Sequence, residues 1–343
     1  MDYIRIETEE SEERLLNIGE LYNTLEQVPD NRQQKGKRYT IGILLMVVIL
    51  GKLCGENTPY GIAEWAKMRA TELQNLFGYH RPVKPSNKTL QRLTGTTVED
   101  SVLQETIRNY LHQTYGGQQS VLVTIDGKTL RGTIPKGKTR GVHLLAAYLP
   151  EESVVLLQIE VQQKENEIVA APTLLQELDL KGRVVSGDAM FTQREISVTV
   201  LAQGGDYLWF VKDNQQTLHE DVQRFFQEVE HAPGWHIPAL PQAVAKETSK
   251  QSGRLETRRL TAIPDENNYL DWPGLNTVFK LERQVARPQT GDESSKVVFG
   301  ITSLPFTPEL AQQLLTWTRQ HWAIENKLHY RRDVTLREDA TRM

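Results

Sequence analysis

The sequence predicts a mixed α+β chain in two parts, a helical domain over residues 1–115 and a sheet-based domain over residues 120–343. Three observations predict it. Before Tyr115 the apolar residues recur at helical spacing. After Gln119 they gather into short β-branched runs separated by helical stretches. Beyond Thr307 they return to one helical stripe, Leu310, Leu314, Trp317, Ile324 and Leu328.

The N-terminal elements follow from periodicity and caps. Residues 1–30 read as an amphipathic helix carrying Leu15, Leu16, Ile18, Leu21, Tyr22 and Leu25, and Pro29-Asp30-Asn31-Arg32 ends it. Arg32, Lys35, Lys37 and Arg38 form a basic loop before the apolar helix Ile41–Leu53. Further helices are expected over Tyr60–Phe77, from Ser86 as N-cap, and over Val98–Tyr115. Several short helices beside a basic loop suit a small DNA-binding domain of helix-turn-helix type, the alternative being a plain bundle with a solvated loop.

Residues 113–119, rich in Gly and Gln, read as a linker. Strands are expected at Val121–Asp126, Gly141–Leu149 and Ser153–Gln162, then a helix near Pro172–Leu178. A strand ending at Asp188, a helix over Thr192–Ala202 and the strand Asp206–Lys212 complete the series. Three strands, helix, strand, helix, strand is the order of a ribonuclease H-like core, a meander followed by crossover strands. A helix at Thr217–Val229 and strand-like runs at Gly253–Ala262, Val278–Val285 and Lys296–Thr302 form a β-rich insertion at about 217–305. Thr307-Pro308 offers an N-cap and a first-turn proline for the closing helix.

Composition excludes several classes. One cysteine, Cys54, rules out a disulfide framework and a thiolate metal site, and fits a reducing cytoplasm. The acidic start MDYIRIETEESEER has no signal-peptide layout, and the run Ile41–Gly51 is too short to span a bilayer, so no membrane role is expected. A net charge of −4 gives no bulk signature of nucleic-acid binding; any such surface is local.

Three acids stand out: Asp126 after the run Val121–Ile125, Asp188 at the end of the fourth strand, and Glu325 on the closing helix. Asp126-Gly127 also reads as a plain hairpin turn. In a ribonuclease H-like sheet the first and fourth strands are neighbours, so these acids converge and the closing helix packs over the same edge. Crowded carboxylates call for a hard divalent metal with oxygen ligands. Two such ions about 3.5–4 Å apart serve phosphodiester chemistry by activating a water or 3′-hydroxyl and stabilising the leaving oxygen. His321, Trp322, Asn326, His329 and Arg332 lie near Glu325 as phosphate-contacting or orienting residues, with Trp322 the better stacking candidate. Lys128, Arg131, Lys136, Lys138 and Arg140 occupy a stretch without acids and read as a phosphate-contacting surface. Lys212, Asn214 and Gln215 follow the fifth strand beside the same edge, as DNA contacts or as a polar loop.

Two rival motifs weigh less. Gly132–Thr139 satisfies GxxxxGK[ST], but strand-like sequence follows where a P-loop needs a helix, and Pro135 removes an N–H donor. His321, Glu325 and His329 at four-residue steps could suit zinc, yet no fourth ligand is evident.

The stretches VTIDGKTLRG, SGDAMFTQ, YLWFVKDNQQTL, GRLETRR and RQHWAIENKLHYRRDVTLREDATR, in that order, resemble the DDE transposases of the H-repeat-associated insertion-sequence group. PDNRQQKGKRYTIGILLMVVILGKLCGE resembles the N-terminal domain that accompanies them. The resemblance implies Asp126, Asp188 and Glu325 as the catalytic and metal-binding triad, with the β-insertion between the second and third acids. It implies two Mg²⁺ ions, with Mn²⁺ able to substitute. The substrate would be double-stranded DNA, terminal repeats and target, cut and joined by a homodimer in the cytoplasm at the bacterial nucleoid. Related transposases carry a Tyr-Arg-Glu-Lys signature; here Thr318, His321 and Arg332 stand at its Tyr, Arg and Lys positions. The narrower HW-IEN-LH pattern is kept, though Tyr330 stands where Trp is usual. The chain stops at Met343, where similar proteins continue with an apolar helical segment. Two other readings stay open: a DNA-binding protein that has lost catalysis, and a metal-dependent nuclease without strand transfer.

Overall fold

The computed structural model describes residues 3–6, 14–33, 35, 37–115, 121–134, 136–137, 139, 141–162, 166–227, 240–251, 253–287 and 291–340. It divides into two compact units, Met1–Gln118 together with Arg331–Met343, and Gln119–Tyr330.

The first unit opens with a strand pair, β1 (Tyr3–Ile6) antiparallel to β2 (Arg14–Asn17), not with one long helix. The Asn17 side chain accepts from Glu20 N at 2.9 Å and so starts α1 (Ile18–Leu25) at that point. Then come α2 (Ile41–Leu53), α3 (Pro59–Met68), α4 (Ala70–Leu76), α5 (Asn87–Arg92) and α6 (Asp100–Tyr115). The single helix expected over Tyr60–Phe77 breaks at Arg69, whose φ of −110° and ψ of 21° leave the helical region. Ser86 caps α5 as its sequence predicts, accepting from Thr89 N. Helix α2 is apolar nearly all round and forms the centre of this unit's core, with Ile43, Leu44, Met46 and Val47 almost fully buried.

The second unit is organised by one sheet. Its strands are β3 (Leu122–Thr129), β4 (His143–Leu149), β5 (Val154–Glu160), β6 (Val184–Gly187), β7 (Asp206–Val211), β8 (Ala243–Gln251), β9 (Arg254–Pro264), β10 (Thr277–Arg287) and β11 (Asp292–Thr302). The helices are α7 (Glu167–Gln176), α8 (Arg194–Ala202), α9 (Gln216–Arg224) and α10 (Leu310–His321). Strand order is β5-β4-β3-β6-β7-β11-β10-β9-β8. The strands β3, β4 and β5 form an antiparallel meander, while β6 and β7 run parallel to β3. That is the ribonuclease H-like arrangement, and the mixed α+β class is as the sequence predicts. The insertion is not a separate layer: β11 pairs antiparallel with β7, from Phe299 opposite Val211 to Thr302 opposite Leu208, and extends the same sheet.

The sheet is covered on both faces. Val123, Ile125, Val185 and Trp209 pack with Ala171, Leu174, Ile196 and Val200 of α7 and α8. On the other face Leu122, Val184, Leu208, Phe279 and Leu281 pack with Leu310, Leu314 and Leu315 of α10. Gly300 lets β11 sit between its neighbours: a Cβ there would lie 2.1 Å from the Phe279 ring and 2.5 Å from the Trp209 carbonyl oxygen. Among the described residues no helix is long and apolar enough to cross a membrane.

Candidate active site

Asp126 and Asp188 meet at one edge of the sheet. The parallel pairing of β3 with β6 ends with Ile125 opposite Gly187, so the two aspartates occupy the next positions on neighbouring strands. Such strands lie about 4.8 Å apart. Asp126-Gly127 is not a hairpin turn: β3 continues to Thr129, with Asp126 opposite Ala146 and Gly127 opposite Leu145 on β4. Asp126 Oδ1 accepts from Gly127 N at 2.9 Å.

Each aspartate faces a histidine from the chain after β11. His329 Nε2 lies 3.0 Å from Asp126 Oδ2, and His321 Nε2 lies 3.7 Å from Asp188 Oδ1. His321 is fixed on its other side by Ser186 Oγ, 3.0 Å from Nδ1, and its ring lies 4.9 Å from that of Phe210 and 5.2 Å from that of Trp322. The His321 imidazole beside it holds the Asp188 carboxyl below the usual carboxylate range, against the effect of burial, and the charges of Lys212 and Lys296 act in the same direction. His329 Nδ1 is buried and has no hydrogen-bond partner among the described residues.

Glu325 sits differently from the expectation of one continuous α-helix. Helix α10 ends at His321, and Ile324–His329 winds as a π-helix. His321 is buried at the end of α10 and His329 reaches Asp126 from the end of the π-helical turn, while Glu325 is exposed and makes no hydrogen bond or ion pair with another described side chain. Helix α10 also starts at Leu310, two residues beyond Pro308, with no side-chain cap. No three His, Cys, Asp or Glu side chains among the described residues are grouped so as to hold a metal ion. The histidines at 321 and 329 go to different aspartates, so the zinc arrangement does not form.

A third carboxylate, Glu167, which no motif in the sequence marks, lies at this edge. Glu167 begins α7, which starts five residues before the helix expected at Pro172. Its Oε1 lies 2.8 Å from His143 Nε2, and His143 Nδ1 lies 2.7 Å from Thr129 Oγ1. A Cβ on Gly127 would fall 2.2 Å from the Glu167 carboxyl carbon, so the carboxyl rests against the backbone next to Asp126. Burial raises the Glu167 pKa, and the charges of Asp126 and Asp188 raise it further, while His143 opposes them. Asn166 as N-cap with an acid in the first turn was the signal available in the sequence.

The remaining predicted contacts divide by position. Lys212 is exposed at the end of β7. Asn214 and Gln215 brace the loop after Asp188, donating to Ala189 O at 2.9 Å and Thr192 O at 3.0 Å. Trp322 is partly exposed, and Asn326 donates to Trp322 O at 3.0 Å. Lys128 lies on β3 and Arg131 in a 3₁₀ turn, Arg131–Thr133; Lys136 is exposed, and Lys138 and Arg140 lie outside the described residues. Strand β4 follows this loop, so the P-loop reading lacks its helix. In the first unit, Arg32 holds Asp30 through Nε and Nη2, each 2.8 Å away, and Lys37 Nζ lies 3.2 Å from it, whereas Lys35 and Arg38 are exposed. Arg32 drives the Asp30 carboxyl far below its usual range. Arg332 is buried, with Nε 2.7 Å from Glu338 Oε2.

Residues 117–343 match the family described as "Transposase DDE domain", and residues 22–111 match the one described as "DDE_Tnp_1-associated". The "H repeat-associated putative transposase YhhI" of Escherichia coli (strain K12) is 29% identical over 332 residues, 94% of this chain and 85% of that protein. The "Putative transposase YncI" of Escherichia coli O157:H7 is 26% identical over 337 residues, 96% of this chain and 83% of that one. An "Uncharacterized protein in dhlA 3'region" of Xanthobacter autotrophicus is 30% identical over 263 residues, 75% of this chain and 86% of its own length. Adjacent carboxylates on neighbouring parallel strands of a ribonuclease H-like sheet agree with those matches, and the chain belongs to the DDE transposases of the H-repeat-associated group, with the associated N-terminal domain ahead of the DDE domain.

Proposed function

We propose that this transposase cuts phosphodiester bonds at the ends of its own insertion sequence and joins the freed 3′ ends to target DNA, with Asp126, Asp188 and Glu325 as the catalytic acids. The observation that carries the proposal is the adjacency of Asp126 and Asp188 on parallel strands, beside a helical segment that reaches both through His321 and His329. Glu325 lies on that segment, four residues from each histidine.

The donors fit a hard divalent cation in chemistry: they are carboxylate oxygens at a partly buried edge. Asp126 and Asp188 would hold Mg²⁺, two ions in the full site, with Glu325 as the third acid. Bound there, the metal supplies charge neutralisation for an attacking and a leaving oxygen. The chain's own residues do the rest. Ser186 fixes His321, which orients Asp188, and His329 orients Asp126. Lys212 and Lys296 bring positive charge to the edge where a phosphate would sit. Double-stranded DNA is the partner, handled by a dimer at the bacterial nucleoid, and the first unit is the DNA-binding domain.

An assay with labelled element ends tests the reading. The expected result is nicking at the end followed by transfer into a second duplex, in Mg²⁺ and without nucleotide. Binding without cutting, or cutting without joining under every metal condition, would replace it with one of the narrower activities.

A further inference from the structure

The edge that carries Asp126 and Asp188 continues across the inserted strands. Strand β11 is antiparallel to β7, with Phe299 opposite Val211, so residues of β11 before Phe299 extend past the end of β7, where Lys212 leaves the sheet. On this extension Lys296 lies opposite Arg283, Arg283 opposite Arg258, and Arg258 opposite Glu247. Three cations therefore stand side by side on three adjacent strands. All are on the α10 face, because Leu281 and Leu260, two residues from Arg283 and Arg258, pack in the α10 core.

Like charges placed directly opposite one another weaken a sheet. The row is relieved in part. Glu256 lies 2.7 Å from Arg258 and also pairs with Arg283, and Glu247 pairs with Arg319 of α10. Glu256 is spent in this way, with its side chain 7% exposed, whereas Arg283 keeps 41% exposure and Arg319 50%. Lys296 is exposed and acts on Asp188 across the edge. Four cations to two carboxylates leave a positive surplus pointing to solvent. Three strands span about 10 Å, the axial rise of about three nucleotides of one DNA strand.

We propose that Lys296, Arg283 and Arg258, with Arg319 beside them, form a track for the phosphate backbone of duplex DNA that leads into the edge holding Asp126 and Asp188. The proposal rests on the transposase reading above and adds a surface on the inserted strands that the sequence motifs do not mark. Phosphate oxygens complement these cations bidentately at the arginines, and a backbone contact requires no particular base sequence.

The test is fluorescence anisotropy of the full chain with a duplex of about 30 bp of arbitrary sequence, titrated over a range of NaCl concentrations. Lys296→Gln and the double variant Lys296→Gln/Arg283→Gln are compared with the wild type, and the melting temperature of each confirms folding. The expected result is a fall in the salt slope of about 0.9 per contact removed, with binding by the double variant weakened about tenfold. Lys296→Arg should keep the wild-type slope. An unchanged slope in folded Lys296→Gln, with the wild type binding steeply, overturns the track and leaves the transposase reading in place. A wild type with no salt-dependent binding overturns both. The single variant keeps the test decisive if loss of the Arg283–Glu256 pair unfolds the double one.

Discussion

At the residue scale the two aspartates share an edge but differ in what surrounds them. Asp188→Asn and Asp126→Asn should each abolish strand cleavage while leaving a folded protein, read by a nicking assay beside circular dichroism. The depressed pKa of Asp188 adds a stability effect. Its charged form favours folding above about pH 3.8, and that contribution is lost as pH falls through the lower folded value. The Asp188 side chain is 41% exposed, so solvent screening keeps the effect of Asp188→Asn below about 1 kcal/mol. Glu167 has the opposite sign. Its folded pKa is raised, so its contribution is fully present below the ordinary value of 4.5 and is lost as pH rises through the folded value. Glu167→Gln should therefore flatten that part of the stability profile. Thermal melts from about pH 4 to about pH 8 check it, and a wild-type advantage that grows with pH would refute it.

At the element scale the decisive contacts are where strands approach closely. Gly300→Ala sets a methyl group against the Trp209 carbonyl oxygen and the Phe279 ring, and the carbonyl belongs to the paired strand β7. We expect a loss of about 3 kcal/mol, measured by urea denaturation, because overpacking at a backbone contact cannot be relieved by a rotamer change. How much was legible in the sequence varies with the element. The runs ending near Asp126 and Asp188 were readable because buried parallel strands are apolar on both faces. Strand β8 was not, because AVAKETSKQ is polar beyond Ala245 and pairs only through register with β9. The His143–Glu167 pair escaped because it depends on His143 lying opposite Thr129, a pairing that no local pattern encodes. The π-helical turn was equally hidden. The spacing of Leu314, Trp317, Ile324 and Leu328 suits an α-helix, and the widened hydrogen-bonding over Ile324–His329 leaves that spacing untouched.

At the scale of the whole molecule, the two compact units allow recognition and chemistry to be tested apart. A fragment spanning residues 1–118 should bind the element's end with a steep salt dependence, through Lys35 and Arg38 more than through Arg32 and Lys37, which Asp30 already engages. Weaker binding than a 119–330 fragment, measured by anisotropy, would place end recognition in the second unit. The sheet carries a further consequence, for synthesis. Strand β7 is bordered on one side by β6, but its other neighbour, β11, lies 88 residues later in the chain, at Phe299 for Val211. A ribosome adding about 5–20 residues per second takes about 4–18 s to deliver it. During that interval the nascent protein presents an apolar strand edge, YLWFV, with its hydrogen-bonding groups unmet, the kind of edge that recruits other chains. A nascent chain arrested before Asp292 should therefore sediment as aggregate where the finished chain stays dispersed.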